Sequence, residues 1–103
     1  MDKQFAHVVN FWLREGLSTA ERQQFEAGVR SLGTIGTIAR FHIGTPASTD
    51  REVIDRSYDY CLLCLFKNQE DHDAYQVDPV HDRFRETCSP FWEKVVIYDS
   101  VAC

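Results

Sequence analysis

Tyr75 and His81 stand six positions apart, roughly a turn and a half of continuous helix. Asp78-Pro79 lies between them and interrupts any continuous helix, which frees the two side chains from strict helical phase and lets them converge. An imidazole near its unperturbed pKa of about 6.5 exchanges protons at neutral pH. A phenol donates to a carbonyl oxygen or stabilises an enolate. Such a pair suits proton abstraction next to a carbonyl, aldol-type closure or hydrolysis. The plainer reading of the same residues makes His81, in the first turn of the restarted helix, a structural hydrogen-bonder and Tyr75 an amphipathic core residue.

The remaining candidates are weaker. His7 shares a strand side with Val9 and Phe11, where a lone histidine is ordinarily a satisfied core residue, and is expected at a pocket edge. His42 and His72 are expected on a strand surface and a helix surface. Asp71-His72-Asp73 offers metal-ligand types, but adjacent helical residues point in different directions, so a solvated face is expected and no metal. Cys61 and Cys64 match C-x-x-C, yet residues three apart on a strand face opposite ways, whereas a redox or zinc site needs both sulfurs together. Both read as buried small hydrophobes. Cys88 lacks a sequence-local activator, and Cys103 is terminal. No G-x-G-x-x-G, Walker loop or G-x-S-x-G occurs, so nucleotide, flavin and serine-hydrolase chemistry has no support and no cofactor is expected.

These residues must be positioned by a few short elements. Residues 5–13 are rich in aromatic and β-branched types and predict a strand, with Phe5, His7, Val9, Phe11 and Leu13 on one face and Ala6, Val8, Asn10 and Trp12 on the other. Ser18-Thr19-Ala20-Glu21 is a capping box, and Phe25, Val29 and Leu32 follow as one helical stripe up to Gly33, where a helix often stops. Residues 35–43 predict a second strand. A long polar connection over 44–57 holds Asp50-Arg51 and Asp55-Arg56. These are read as solvated charge pairs worth little, with closure of Arg51 over a pocket mouth or onto a partner as the sharper alternative. Residues 58–67 predict a third strand. Asn68 opens a helix to about Gln76, Asp78-Pro79 restarts it up to Ser89-Pro90, and 91–101 predict the last strand.

The 103 residues are 44% hydrophobic and 13% aromatic, which fits one domain over 1–103 with a compact core. Lys+Arg 11 against Asp+Glu 16 gives a net charge of −5, without the cationic footprint of a nucleic-acid binder. The longest fully apolar run, Cys61 to Phe66, cannot span a bilayer, and Met1-Asp2-Lys3-Gln4 opens no apolar leader, so a soluble cytoplasmic protein without free-standing disulfides is expected.

The predicted order is β-α-β-β-α-β: an α+β, ferredoxin-like plan with a four-stranded antiparallel sheet and its helices on one face. The third strand is apolar on both sides from Tyr60 to Phe66, which calls for burial on both faces. Two helices cover only one. The other exposes Val8 and Trp12, with Ile38 and Val96 expected beside them. A homodimer with its sheets packed face to face is the economical cover.

At this level of detail the chain resembles the stress-responsive dimeric α/β-barrel (Dabb) domains. The resemblance rests on His7-Val8-Val9-Asn10-Phe11, Gly44, Ser57-Tyr58-Asp59-Tyr60, Tyr75-Gln76-Val77-Asp78-Pro79-Val80-His81, Phe84, and Phe91-Trp92-Glu93-Lys94-Val95-Val96-Ile97-Tyr98-Asp99. It implies a ferredoxin-like fold in which two subunits close a barrel. One plant branch, the olivetolic acid cyclases, closes a polyketide chain without a cofactor. Tyr75 and His81 resemble its catalytic pair, and His7 its first-strand pocket histidine. Phe25, Val29, Phe84, Trp92 and Ile97 resemble pocket walls. Val29 stands where the cyclase has a tyrosine, and Asp78 replaces a histidine, so the same substrate is not implied. Some members hold a metal through main-chain carbonyls, which side chains do not reveal.

Three functions follow as expectations. The first is a stress-responsive dimeric domain binding a small apolar or aromatic molecule between helices and sheet. The second is a cofactor-independent enzyme using His81 and Tyr75. The third is a pure interaction module.

Overall fold

Strict alternation along β1 (Phe5–Leu13) sets the two sides of the molecule: every odd residue is buried and every even one half-buried. The computed structural model describes residues 2–103. β1 pairs antiparallel with β3 (Tyr60–Phe66) on one side and β4 (Trp92–Val101) on the other, and β2 (Arg40–Gly44) pairs with β3, giving the order β2-β3-β1-β4. With helix α1 (Thr19–Ser31) after β1 and helices α2 (Gln69–Gln76) and α3 (Pro79–Cys88) between β3 and β4, the ferredoxin-like α+β plan is in place.

Local chemistry explains the helix boundaries. Ser18 Oγ accepts from the Glu21 N–H at 3.1 Å, and the Ser18 N–H donates to Glu21 Oε1 at 2.9 Å, so two orphan donors at the head of α1 are satisfied. Asn68 Oδ1 caps α2 by accepting from the Asp71 N–H, and Asp78 Oδ1 caps α3 by accepting from the Val80 N–H. Pro79 at the first position of α3 gives up a donor that had no helical partner anyway.

Three expectations are corrected. The second strand begins at Arg40 rather than at residue 35. Ahead of it the chain makes a 3₁₀ turn over Leu32–Thr34, and Ile35 and Ile38 join the hydrophobic core instead of a strand. Ile38 is therefore not on the open sheet face. Gly33 does not end α1 through a left-handed turn, since Gly16 alone among the described residues has positive φ. A Cβ at Gly33 would lie 3.0 Å from the Phe41 ring, so glycine is there to let β2 pack close.

The helices cover the face carrying Phe5, His7, Val9, Phe11 and Leu13, where Phe25, Val29, Leu32, Leu62, Phe66, Phe84 and Phe91 complete the core. On the opposite face Val8 pairs with Leu63 and Tyr98, and Asn10 with Cys61 and Val96; this side has no second layer. The extents of 46 × 37 × 17 Å describe a slab. Its radius of gyration of 14.3 Å exceeds the ~13 Å of a compact chain this long. In the 45–57 connection, Asp55 accepts from the Ser57 N–H and hydroxyl, Arg56 Nε donates to the Ala47 carbonyl, and Ser57 Oγ accepts from the Trp12 indole N–H at 3.1 Å. Arg51 forms no ion pair among the described residues. No described helix is long and apolar enough to cross a membrane.

Candidate functional site

Strand alternation and the break between α2 and α3 together build the site. His7, Val9 and Phe11 point from β1 toward the helices, and the register sets Asp99, Ile97 and Val95 of β4 directly beside them. Tyr75 ends the buried stripe of α2, and His81 lies in the first turn of α3. With the chain redirected at Asp78, their rings meet edge to face, centroids 5.0 Å apart and 73° between planes. Tyr75 also meets His7 edge-on at 5.6 Å.

These rings close one end of a cavity of about 350 Å³. Its walls are mostly apolar, with Leu32, Leu62, Phe84, Trp92, Val95 and Ile97 prominent, and Gln76 and Arg85 add polar groups. The size lies at the lower end of small-ligand pockets, about 300–1,000 Å³.

Each polar group has a distinct electrostatic setting. The His7 Nδ1–H donates to Asp99 Oδ1 at 2.6 Å, a tautomer assigned from the bonding partner. Burial pulls the His7 pKa below its ordinary value, and the Asp99 carboxylate opposes that shift only in part. His81 is also lowered, first by burial and then by the Arg85 guanidinium, so it is neutral at pH 7. Its Nδ1 is buried and has no hydrogen-bond partner. Burial drives the Tyr75 phenol well above its ordinary value, and the neighbouring Cys64 thiol adds to the effect. Cys64 is itself pushed up to about 12, chiefly by burial. The site therefore pairs a neutral imidazole with a phenol that stays protonated.

Of the expected residues, His7, Tyr75, His81, Phe84, Trp92 and Ile97 lie together around the cavity. Phe25 and Val29 do not reach it; both are fully buried in the packing between α1 and the sheet. A helical stripe marks the face that turns inward, but not whether a void lies in front of it. His72 corrects a further expectation. It is buried rather than solvated, and stacks on Phe5 with centroids 4.3 Å apart. Its spacing from Tyr75 on the inner stripe of α2 was the available signal. Leu62 and Val95 could have been found from strand alternation and register. Gln76 and Arg85 carry no sequence signal for a cavity. Cys61 and Cys64 do face opposite ways, opposite Asn10 and His7 respectively, and all four cysteines are free.

The model of the stress responsive A/B barrel domain matches residues 5–102. The chain belongs to this family. Solved structures of similar shape include a Dabb family protein with a ferredoxin-like fold from Mesorhizobium loti, 22% identical, with a TM-score of 0.79 and 99% of each chain covered. Another is a hydroxynitrile lyase from Passiflora edulis, 20% identical, with a TM-score of 0.80, covering 100% of this chain and 96% of that one. A third is a dimeric ferredoxin-like protein of unknown function from Thermobifida fusca, 16% identical, with a TM-score of 0.79, covering 99% of this chain and 93% of that one. At these identities the likeness speaks for the fold. No curated protein matches the chain by sequence.

Proposed function

We propose that this domain works as a homodimer, its sheets packed through the open face, and binds a small aromatic or apolar molecule bearing a carbonyl or hydroxyl in the cavity of each subunit. The cavity carries this reading: about 350 Å³ of mostly apolar space, with His7, Tyr75 and His81 gathered at one end. An apolar wall supplies affinity through burial, and a few convergent polar groups fix orientation. The buried, unpartnered Nδ1 of His81 suits a site whose polar groups are completed by a ligand. A pure interaction module would need no such space, which favours binding over that reading. The dimer is supported by the half-buried apolar residues Val8, Leu63, Leu65 and Val96 on the uncovered face, and by the dimeric description of the T. fusca structure.

Titrating ¹⁵N-labelled protein with acetophenone, benzaldehyde and resorcinol tests the reading. Saturable shifts are expected at Tyr75, Gln76, His81 and the Trp92 indole, and Val95→Trp, which fills the cavity, should abolish them. Shifts confined to the open sheet face, or none with any of the three probes, would overturn it.

A second reading, acid–base chemistry on a bound carbonyl compound, has an observation of its own. The neutral His81 imidazole and the protonated Tyr75 phenol meet at one spot, the first suited to take a proton and the second to donate to an oxygen. The hydroxynitrile lyase of similar fold is consistent with it. On this reading His81→Ala abolishes turnover of a bound carbonyl probe while binding and folding persist.

A further inference from the structure

We propose that His7, His72 and Asp99 form a site for one divalent transition-metal ion such as Zn²⁺, beside the cavity. This does not rest on the ligand-binding reading. The three residues come from β1, α2 and β4, and one ligand atom from each lies within 4.8 Å of the others. Their meeting is a product of the fold. The β1–β4 register sets His7 opposite Asp99, and α2 lays His72 on Phe5 with its ring 5.0 Å from that of His7.

The donor set selects the ion. Two imidazoles and one carboxylate suit zinc, cobalt, nickel or ferrous iron, whereas calcium and magnesium prefer oxygen ligands throughout. An ion bound at about 2.0–2.2 Å from each ligand sets the ligand atoms roughly 3–3.6 Å apart, so the 2.6 Å contact between His7 and Asp99 opens slightly while the wider separations, up to 4.8 Å, close. The register already brings His7 and Asp99 together at 2.6 Å, and an ion bound through His7 Nδ1 replaces the proton of that hydrogen bond, the neutral ring then carrying its proton on Nε2.

The surroundings are those of oriented ligands. His72 Nδ1 donates to Asp73 Oδ1 at 3.0 Å, which leaves Nε2 with a lone pair that now accepts from the Gln76 carboxamide at 3.2 Å. A carboxylate behind one ring nitrogen fixes the tautomer and raises the basicity of the other, as is usual for metal-bound histidine. His7 and His72 are 2% and 8% exposed, so their rings are held by packing, while the Asp99 side chain at 39% leaves a route in from solvent. The Asp71-His72-Asp73 triplet thus resolves into an inward histidine with its orienting acid.

Calorimetric titration of the intact protein with ZnCl₂, paired with absorbance titration with Co²⁺, tests the site. One ion per chain is expected, with weak cobalt ligand-field bands and no sulfur-to-cobalt charge transfer. Asp99→Asn, a partly exposed position where the fold should persist, is expected to weaken zinc binding at least tenfold. His72→Gln, checked for folding by circular dichroism, should do the same. Absence of saturable uptake by the wild type, unchanged affinity in both variants, or a thiolate charge-transfer band placing the ion on a cysteine would each overturn the assignment.

Discussion

The two faces of the sheet are made from the same four strands and differ in what lies against them. Toward the helices, Phe5, His7, Val9, Phe11 and Leu13 are all buried, and aromatic rings meet in a chain from Phe5 through His72, His7 and Tyr75 to His81. On the other side Ala6, Val8, Asn10 and Trp12 remain half-buried, Tyr98 is 65% exposed, and Lys94 lies 4.6 Å from the Trp12 ring centroid. Burial on the covered face lowers the pKa values of His7 and His81 and so favours their neutral forms. The open face has apolar side chains without a layer to bury them, a condition for association. One strand therefore turns its odd residues toward the helices and the cavity and its even ones toward the uncovered face.

The largest expected effect lies on the covered face. Phe25→Ala should cost about 3–5 kcal/mol in urea unfolding, because the surrounding rings of Phe11, Tyr60, Phe84 and Trp92 cannot collapse onto the void. A cost below about 1.5 kcal/mol would mean that side is loosely packed, and the contrast between the faces would fail.

Leu63→Glu tests the open face. Its side chain sits between those of Val8 and His42 across the strands. A carboxylate there should weaken self-association about a hundredfold, about 3 kcal/mol, leaving a folded monomer in light scattering. A wild type that is already monomeric, or a variant that dimerises equally well, would remove the interface from the comparison.

A smaller effect concerns acid stability. The folded pKa of His81 lies below the ordinary 6.5, first through burial and then through Arg85 and His7, against the raising influence of Asp82 and Asp78. The unfolded chain therefore binds the proton more readily. The His81 contribution is fully present above about pH 6.5 and declines as pH falls toward the folded value. His81→Gln should flatten the melting temperature between pH 7 and pH 5 by part of the wild-type slope. An unchanged slope would show that His81 does not sense its burial.

Elements held by local interactions were legible in the sequence. The Ser18 and Asp78 caps, the β1 alternation and the break before Pro79 each depend on residues within a few positions of one another. The second strand was misplaced because Ile35 and Ile38 suit a strand but are drawn into the core by the 3₁₀ turn before them. His72 was misjudged because its acidic neighbours suggest solvent, whereas its helix turns toward Phe5. Phe25 and Val29 belong to the right face, but a stripe does not show where the void lies.

Sequence alone determined the order of the strands and main helices, the face each β1 residue takes and the chain break that frees Tyr75 from His81. These follow from the periods of strand and helix and from capping chemistry, which act over short separations. Tertiary structure decided which groups meet. His7 and Asp99 are 92 positions apart, and only the β1–β4 register makes them hydrogen-bonded neighbours. The cavity, the inward His72 and the neutral state of His81 have the same origin, because burial and proximity across the sheet are properties of the packed chain.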